Sequence, residues 1–182
     1  MEGNILKSKI ISKTIEWGKV TTLAVIMGLI VTYFIIPTVV SGESMYPTLN
    51  TEDYLIINKI AYKNNHPNRG DIVVFRSELK DINGINKSLI KRIIGVPGDH
   101  IVIKNGDVYI NDQLSNEPYI NDSYTDGYID MVIPKGYYFA MGDNRVVSKD
   151  SRDSEVGVIS EGDIVGKVNL RLFPLDEIGT VS

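Results

Sequence analysis

Ser41-Gly-Glu-Ser-Met-Tyr-Pro-Thr-Leu49 lies between an uncharged apolar run and a longer part with the composition of a globular domain. Pro47 fixes its own φ and pushes Tyr46 towards an extended conformation, whereas Gly42 permits a positive φ or a close backbone approach. The Ser44 hydroxyl is therefore held on a stiff, tight segment and is a candidate nucleophile if a base reaches it. A polar linker that leaves a membrane explains the same residues, so this stretch alone leaves both interpretations open.

The apolar run before this stretch, residues 20–42, contains no charged residue. As a helix it is long enough to cross a hydrocarbon layer of ~30 Å. Residues 1–19 carry four Lys against two Glu, a net charge of +2, and such an excess predicts a cytoplasmic N-terminus. We therefore predict a cytoplasmic segment over residues 1–19, a single transmembrane anchor helix over 20–40 and an extracytoplasmic domain over 41–182, in the cell membrane.

Two alternatives to an uncleaved anchor follow from the same run. A cleaved secretory signal has a shorter apolar region and small residues at its cleavage site. Residues 37–42 offer a poor site of that kind, and a cut there leaves Ser44 almost at a free N-terminus. A core-packed helix of a soluble protein of this size normally keeps a polar face towards solvent, which this run lacks.

Composition excludes several classes of function. The chain has 182 residues, of which 43% are hydrophobic and 23% charged, and this suits one domain with a small extra element. The absence of Cys excludes a disulfide, a thiol nucleophile and a Cys-based metal site. The only two His, His66 and His100, fall in polar or turn-like stretches and are better explained as loop residues than as ligands or a catalytic base. We predict no metal and no cofactor. Residues 20–182 carry a net charge of −6, which argues against nucleic acid as a partner.

Short β-rich runs dominate the chain after residue 50, and no long helical pattern occurs there. Asn105-Gly106 between two such runs is typical of a hairpin with a type I′ turn. Residues 78–87 and 111–127 are polar and are predicted as exposed loops. The predicted fold is mainly β: an N-terminal transmembrane helix followed by an all-β domain of barrel-like or sandwich type. The predicted strands are residues 53–58, 70–75, 89–95, 101–104, 107–110, 128–133, 137–141 and 163–173.

Lys91 interrupts an apolar run at residues 88–95. Lys91 and Arg92 are neighbours, so their side chains point to opposite faces of a strand, and we expect one to reach solvent while the other turns inwards. A buried Lys has a lowered pKa, and its neutral amine can act as a general base. A Lys that snorkels to the surface or pairs with a carboxylate explains the same position.

A second polar cluster is Gly142-Asp-Asn-Arg-Val-Val-Ser-Lys-Asp-Ser-Arg152. Its charged side chains can form charge-assisted pairs that stiffen a loop, and Ser148 or Ser151 can offer a hydroxyl to a lysine amine. A solvated turn rich in Asp, Asn and Ser is the simpler interpretation of the same composition. The charged residues concerned are Asp143, Arg145, Asp150 and Arg152.

Four segments in this order resemble the motifs of the bacterial type I signal peptidases, the membrane-anchored Ser/Lys proteases, in their compact Gram-positive form. The segments are residues 41–49, 69–75, 91–99 and 142–152. The resemblance covers the anchor and nearly all of the following domain, for which it implies the β fold of the signal peptidase catalytic domain. It also implies a serine endopeptidase that cleaves signal peptides from secretory preproteins at a lipid bilayer.

The resemblance also implies a role for individual residues. Ser44 is the nucleophile and Lys91 the general base, and Ser148 hydrogen-bonds to Lys91 and orients it. Asp150 and Arg152 form a supporting ion pair within the motif that starts at Gly142. Some family members place a second Ser where this chain has Gly42, so here the oxyanion relies on the Ser44 backbone N–H and one other backbone donor.

The implied substrate is an extended signal peptide with small residues before the cut, bound as an added strand. Val40, Met45 and Ile90 flank the two catalytic residues and are predicted to form the walls of the small-residue pockets. A membrane-tethered β domain that only binds a partner, and a repressor-like Ser/Lys protein that cleaves only itself, are the rival functions. Incubation with a secretory preprotein separates the three.

Overall fold

The computed structural model describes residues 2–121 and 124–181. The chain divides between Ile35 and Ile36 into a helical unit and a β unit. Helix α1 spans Glu2–Phe34, and its part from Lys13 to Phe34 is long and apolar enough to cross a membrane. Strand β1 follows α1 directly, so residues 35–39, which the sequence assigns to the anchor, are extended. The limits of the anchor remain a prediction.

Strands make up most of the β unit, and two short 3₁₀ helices lie at Glu161–Asp163 and Leu175–Glu177. The strands are β1 Ile35–Val39, β2 Tyr54–Asn58, β3 Ile72–Lys80, β4 Asn86–Gly95, β5 His100–Lys104, β6 Asp107–Ile110, β7 Gln113–Leu114, β8 Ile129–Val132, β9 Tyr137–Met141, β10 Ile159–Ser160, β11 Ile164–Phe173 and β12 Gly179–Thr180.

The described strands form two sheets. The larger has the order β1-β2-β11-β3-β4-β9-β10, with β12 paired to β11, and the smaller has the order β7-β6-β5-β8. The fold is therefore mainly β, as predicted. Neither sheet closes on itself, so the predicted barrel-like shape holds only loosely.

Buried aliphatic and aromatic side chains form three clusters. One lies under the start of the β unit, and a second covers the smaller sheet. The third packs β3, β4 and β9 against β10. The first cluster carries the residues that position the candidate site: Val40, Met45, Leu49, Leu55, Ile57, Ile72, Val74 and Val168.

The Asn105-Gly106 hairpin is confirmed. Both residues have positive φ, 53° and 90°, as a type I′ turn requires, and the turn joins β5 to β6.

The predicted loop at residues 78–87 is wrong in its extent. β3 continues to Lys80 and β4 begins at Asn86, which leaves a turn over residues 81–85. A projecting two-stranded hairpin is exposed on much of its surface, so it lacks the apolar alternation that marks a half-buried strand.

The polar segment 111–127 is not simply an exposed loop. It contains the short strand β7, and Thr125 is buried and bridges to Gly106. The Glu117 side chain is also buried, because it has an ion-pair partner elsewhere in the domain.

Candidate active site

Ser44 lies in a short turn that follows β1. Gly42 enters the turn with a φ of +93°, which favours glycine. The Tyr46 N–H donates to Glu43 O at 3.1 Å, and the Leu49 N–H donates to Met45 O at 2.9 Å. Met45 and Leu49 are buried in the first apolar cluster. The core therefore holds the turn, and half-buried Ser44 remains at its surface.

Lys91 lies on β4, opposite Val73 of β3, and its side chain reaches Ser44. The distance from Lys91 Nζ to Ser44 Oγ is 2.6 Å. Lys91 Nζ also donates to the carbonyl of Ile90 at 3.0 Å. Only 2% of Lys91 is exposed, so the amine contacts the hydroxyl away from bulk water.

Burial lowers the pKa of Lys91 to about 8 from the ordinary value of 10.5, because the ammonium loses its hydration. The carboxylates of Asp150 and Asp143 raise the pKa and so oppose this effect, while Arg152 lowers it. With a pKa of about 8, roughly a tenth of the lysine is neutral at pH 7. The neutral form is the one that can accept a proton from Ser44.

The expectation that one of Lys91 and Arg92 reaches solvent is wrong, because Arg92 is buried too. Its Nε and Nη2 donate to the two carboxylate oxygens of Asp143, at 2.9 and 2.8 Å. The Tyr119 ring lies over the guanidinium, with 4.0 Å from its centroid to the guanidinium carbon. A bidentate carboxylate and an aromatic face together compensate for the buried charge.

The loop over residues 142–152 contacts the nucleophile turn through its backbone. The Asn144 N–H donates to Ser44 O at 3.1 Å. A Cβ at Gly142 would overlap Ser44 O and the Ser148 side chain. Gly142 is thus required by close packing against the Ser44 turn and not by a positive φ.

Ser148 differs from its predicted arrangement. Its Oγ accepts a hydrogen bond from the Gly142 N–H at 3.1 Å. Within the described residues, Lys91 Nζ bonds to Ser44 and Ile90, so the expected Ser148–Lys91 hydrogen bond is not formed. The Ser148 hydroxyl holds the loop that contacts Ser44.

Asp150 and Arg152 form an ion pair inside the same loop. Arg152 Nε donates to Asp150 Oδ1 and its Nη2 to Asp150 Oδ2, both at 2.9 Å. The Asp150 side chain has no exposure and also accepts the Gly142 N–H at 3.0 Å. Arg152 Nη2 donates to Arg145 O at 2.8 Å. The pair thus fixes the loop from within, and its supporting role in catalysis remains a prediction.

The sequence does not indicate a third buried ion pair, which Arg145 forms with Glu117. Arg145 Nη1 and Nη2 donate to the Glu117 carboxylate at 2.7 and 2.8 Å, and Nη1 also donates to Thr125 Oγ1 at 2.7 Å. Burial alone would lower the pKa of Arg145, but the hydrogen bonds and charge of Glu117 outweigh it, and the net shift is upward. Glu117 is one of several acidic residues in the sequence, and nothing local distinguishes it from them.

Val40, Met45 and Ile90 lie together in the first apolar cluster. Val40 and Met45 are buried, and Ile90 is half-buried. The structure thus places all three in the apolar cluster that also contains Leu49 of the Ser44 turn. Their role as walls of substrate pockets remains a prediction.

Neither His reaches Ser44. His66 Nδ1 contacts Glu161 at 2.7 Å, and His100 Nε2 contacts Asp130 at 2.8 Å. Across the described ranges, no group of three or more His, Cys, Asp or Glu is arranged to hold a metal ion.

A buried lysine amine in contact with a serine hydroxyl, on a mainly β domain, is the arrangement of a serine hydrolase with a Ser/Lys pair. The family model of signal peptidase, peptidase S26, matches residues 14–173. The chain belongs to this family and is a serine-type endopeptidase.

Two relatives agree with the family match. Signal peptidase I T of Bacillus subtilis (strain 168) is 37% identical over 175 residues, covering 90% of this chain and 88% of the relative. Signal peptidase IB of Staphylococcus aureus (strain Mu50) is 38% identical over 182 residues, covering 90% and 91%. A crystal structure of a signal peptidase I from Enterococcus faecalis V583 aligns with a TM-score of 0.47 and 28% identity, covering 57% of this chain and 97% of that one.

Proposed function

We propose that this chain cleaves signal peptides from exported preproteins, as a signal peptidase I, with Ser44 as nucleophile and Lys91 as general base. One observation supports the roles of both Ser44 and Lys91. Lys91 Nζ lies 2.6 Å from Ser44 Oγ while only 2% of the lysine is exposed. This distance permits direct proton transfer, and burial supplies the lowered pKa that a lysine base needs.

The reaction proceeds in two steps. Neutral Lys91 takes the Ser44 proton, Oγ attacks the scissile carbonyl, and the peptide C–N bond breaks as the leaving amine takes the proton from Lys91. The signal peptide is then esterified to Ser44 through its new carbonyl end. Lys91 next takes a proton from water, the resulting hydroxide attacks the ester, and Ser44 recovers its proton.

The Ser44 backbone N–H is the proposed first donor to the oxyanion. Within the described residues this N–H donates to no other group, so it is free for the substrate. Gly42 supplies no hydroxyl, and the proposed second donor is another backbone N–H. A donor held by a turn on the core needs no rearrangement when the negative charge develops.

An extended substrate fits the free strand edges beside Ser44. β1 is the end strand of the larger sheet. β4 pairs with β9 from Arg92 onwards, so among the described strands residues 86–90 pair along one edge alone, to β3. A peptide that adds a strand to these edges reaches Ser44, with Val40, Met45 and Ile90 as the walls of its side-chain pockets.

We also propose that α1 anchors the enzyme as a single span, with a cytoplasmic N-terminus and an extracytoplasmic β unit. The span from Lys13 to Phe34 supports the anchoring, and the net charge of +2 in residues 1–19 supports the orientation.

Incubation of the purified full-length protein with a secretory preprotein tests the proposed function. The wild type should cut the preprotein in trans, and Ser44→Ala should not. Ser41→Ala is the matched control, because Ser41 is exposed in the same segment and should tolerate the change. Cleavage of the chain itself without cleavage of the preprotein, or no cleavage, would contradict the proposal.

A further inference from the structure

The β3–β4 hairpin projects beyond the larger sheet. Pairing of β3 with β11 reaches no further along β3 than Phe75, and pairing of β4 with β9 begins at Arg92. Between these points β3 and β4 pair with each other as far as Lys80 and Asn86. The outer part of the hairpin is therefore a two-stranded arm that ends in the turn at residues 81–85, which we name the hairpin tip.

The hairpin tip is ordered by Asp81. Asp81 Oδ1 accepts the N–H groups of Asn83 and Ile85 at 2.8 and 2.9 Å, and the Asp81 N–H donates to Ile85 O at 2.9 Å. The hydrogen bond from the Ile85 N–H is the main cause of the lowered pKa of Asp81. The Asp81 carboxylate is thus hydrogen-bonded within the turn and stabilises it.

This ordered turn displays two isoleucines to solvent. Ile82 is fully exposed and Ile85 is 65% exposed. Lys80 and Lys87 lie on the two strands next to the turn and are exposed, as is Glu78 on β3. The isoleucines lie at the end of the arm, and the lysines lie nearer to the body of the domain. This order matches a lipid interface, in which apolar groups lie below the anionic phosphates.

The strand directions show which way the arm points. β1 ends beside the start of β2, because the Val40 N–H donates to Asp53 O at 2.9 Å, so these two strands are antiparallel. β2 is antiparallel to β11, and β11 is antiparallel to β3. β3 therefore runs towards the end of the sheet at which β1 begins. The chain enters that same end from α1.

We propose that the hairpin tip inserts Ile82 and Ile85 into the surface of the membrane that α1 spans, with Lys80 and Lys87 at the level of the phosphates. This inference rests on the proposed membrane anchoring. Ile85 precedes Lys91 by six residues, or ~20 Å of strand. The tip then holds the free edge of β4 against the bilayer, where an emerging signal peptide can pair with it, and sets the height of Ser44 above the lipid.

A fluorescent probe in the full-length protein tests the position of the tip. The chain contains no Cys, so Ile82→Cys gives a single labelling site. The protein carries an environment-sensitive dye and is placed in vesicles of phosphatidylcholine and phosphatidylglycerol, with and without spin-labelled lipid. Leu175→Cys is the matched control, because Leu175 is 74% exposed and follows the end of β11, at the opposite end of the sheet.

We expect a blue shift and quenching by spin-labelled lipid for the probe at position 82, and neither for the probe at 175. Equal exposure of both probes to water would overturn the proposal. The probe at position 82 is also placed in the Ser44→Ala variant in detergent. If this probe is shielded only after a preprotein is added, the tip binds the apolar segment of the substrate. Disulfide cross-linking of two copies of the unlabelled Ile82→Cys variant would assign the tip to a dimer. Either result overturns the lipid assignment.

The double variant Ile82→Ser/Ile85→Ser tests the consequence for processing. We expect a severalfold lower rate on a preprotein embedded in vesicles and an unchanged rate on a short soluble peptide in detergent. A wild-type rate of this variant on the embedded preprotein would contradict the proposal. Failure of the wild type to cut any substrate would instead contradict the proposed function, and the lipid quenching does not depend on that result.

Discussion

Opposing effects set the state of the Lys91 amine. Burial removes water from the ammonium, while the carboxylates of Asp150 and Asp143 favour the charge. Burial is the larger effect, and the pKa falls to about 8. A lysine at this value is deprotonated often enough to take a proton from Ser44, whereas an exposed lysine is not.

The first prediction concerns pH. The value of kcat/KM should rise with pH through the lowered pKa of about 8 and level off above it, because the neutral amine is the active form. The unfolded chain holds this proton more tightly, with a pKa near 10.5. The contribution of Lys91 to stability should therefore fall as pH drops from 10.5 to 8 and stay constant below that. A pH–rate profile, with unfolding measured over the same range, checks both.

Two variants serve as controls for the profile. Lys91→Arg should be inactive, because a guanidinium stays protonated. Appreciable activity in Lys91→Arg, or the same acid limb in the residual activity of Lys91→Ala, would identify some other group as the base.

The second prediction concerns Gly142. Gly142→Ala should lower activity strongly and destabilise the domain by about 1–3 kcal/mol, because the new methyl overlaps Ser44 O and the Ser148 side chain. Gly179→Ala is the matched control, since its Cβ meets open space. Activity assays and thermal unfolding of both variants check this, and a fully active Gly142→Ala would contradict the packing around Ser44.

The segment 111–127 stabilises the loop 142–152 through side-chain contacts with two buried arginines. It contributes Glu117 to Arg145, and Tyr119 to the face of Arg92. Arg92 in turn holds Asp143 of the same loop. Two buried cations thus join this polar segment to the loop that contacts the Ser44 turn.

The third prediction tests the contact between Glu117 and Arg145. Glu117→Gln should cost about 3–5 kcal/mol of unfolding free energy, because it leaves the buried Arg145 charge without its carboxylate. Activity should fall with it. Glu155→Gln is the control: Glu155 pairs with Lys149 on the surface, and its loss should cost no more than about 1 kcal/mol. Equal stabilities of the two variants by chemical denaturation would contradict the stabilising role.

Local patterns and long-range pairs differ in how well the sequence reveals them. The Asn105-Gly106 turn, the mainly β class and the apolar helix could all be predicted, because each depends on neighbouring residues. Arg92 could not be predicted as buried, since its carboxylate partner lies 51 residues away. The Glu117–Arg145 pair spans 28 residues and likewise leaves no local pattern. Ser44 and Lys91 can be recognised as candidates from their motifs, although 47 residues separate them.

The net charge of the chain has opposite signs on the two sides of the proposed anchor. Residues 1–19 carry a net +2, and the remainder carries −6. In intact cells a membrane-impermeant thiol reagent should label Tyr128→Cys, in the exposed part of the β unit, but not Ser8→Cys. Permeabilised cells should show both labelled. The reverse pattern in intact cells would contradict the proposed orientation.

In the proposed mechanism Ser44 supplies the oxygen that forms the acyl-enzyme, and Lys91 activates it. The most direct test is to mix the full-length protein with a preprotein, quench with acid within one turnover, and locate the adduct by peptide mass mapping. We predict the signal peptide esterified to Ser44 in the wild type, and no adduct in Ser44→Ala or Lys91→Ala. An adduct on another residue, or processing by Ser44→Ala at the wild-type rate, would show that Ser44 is not the nucleophile.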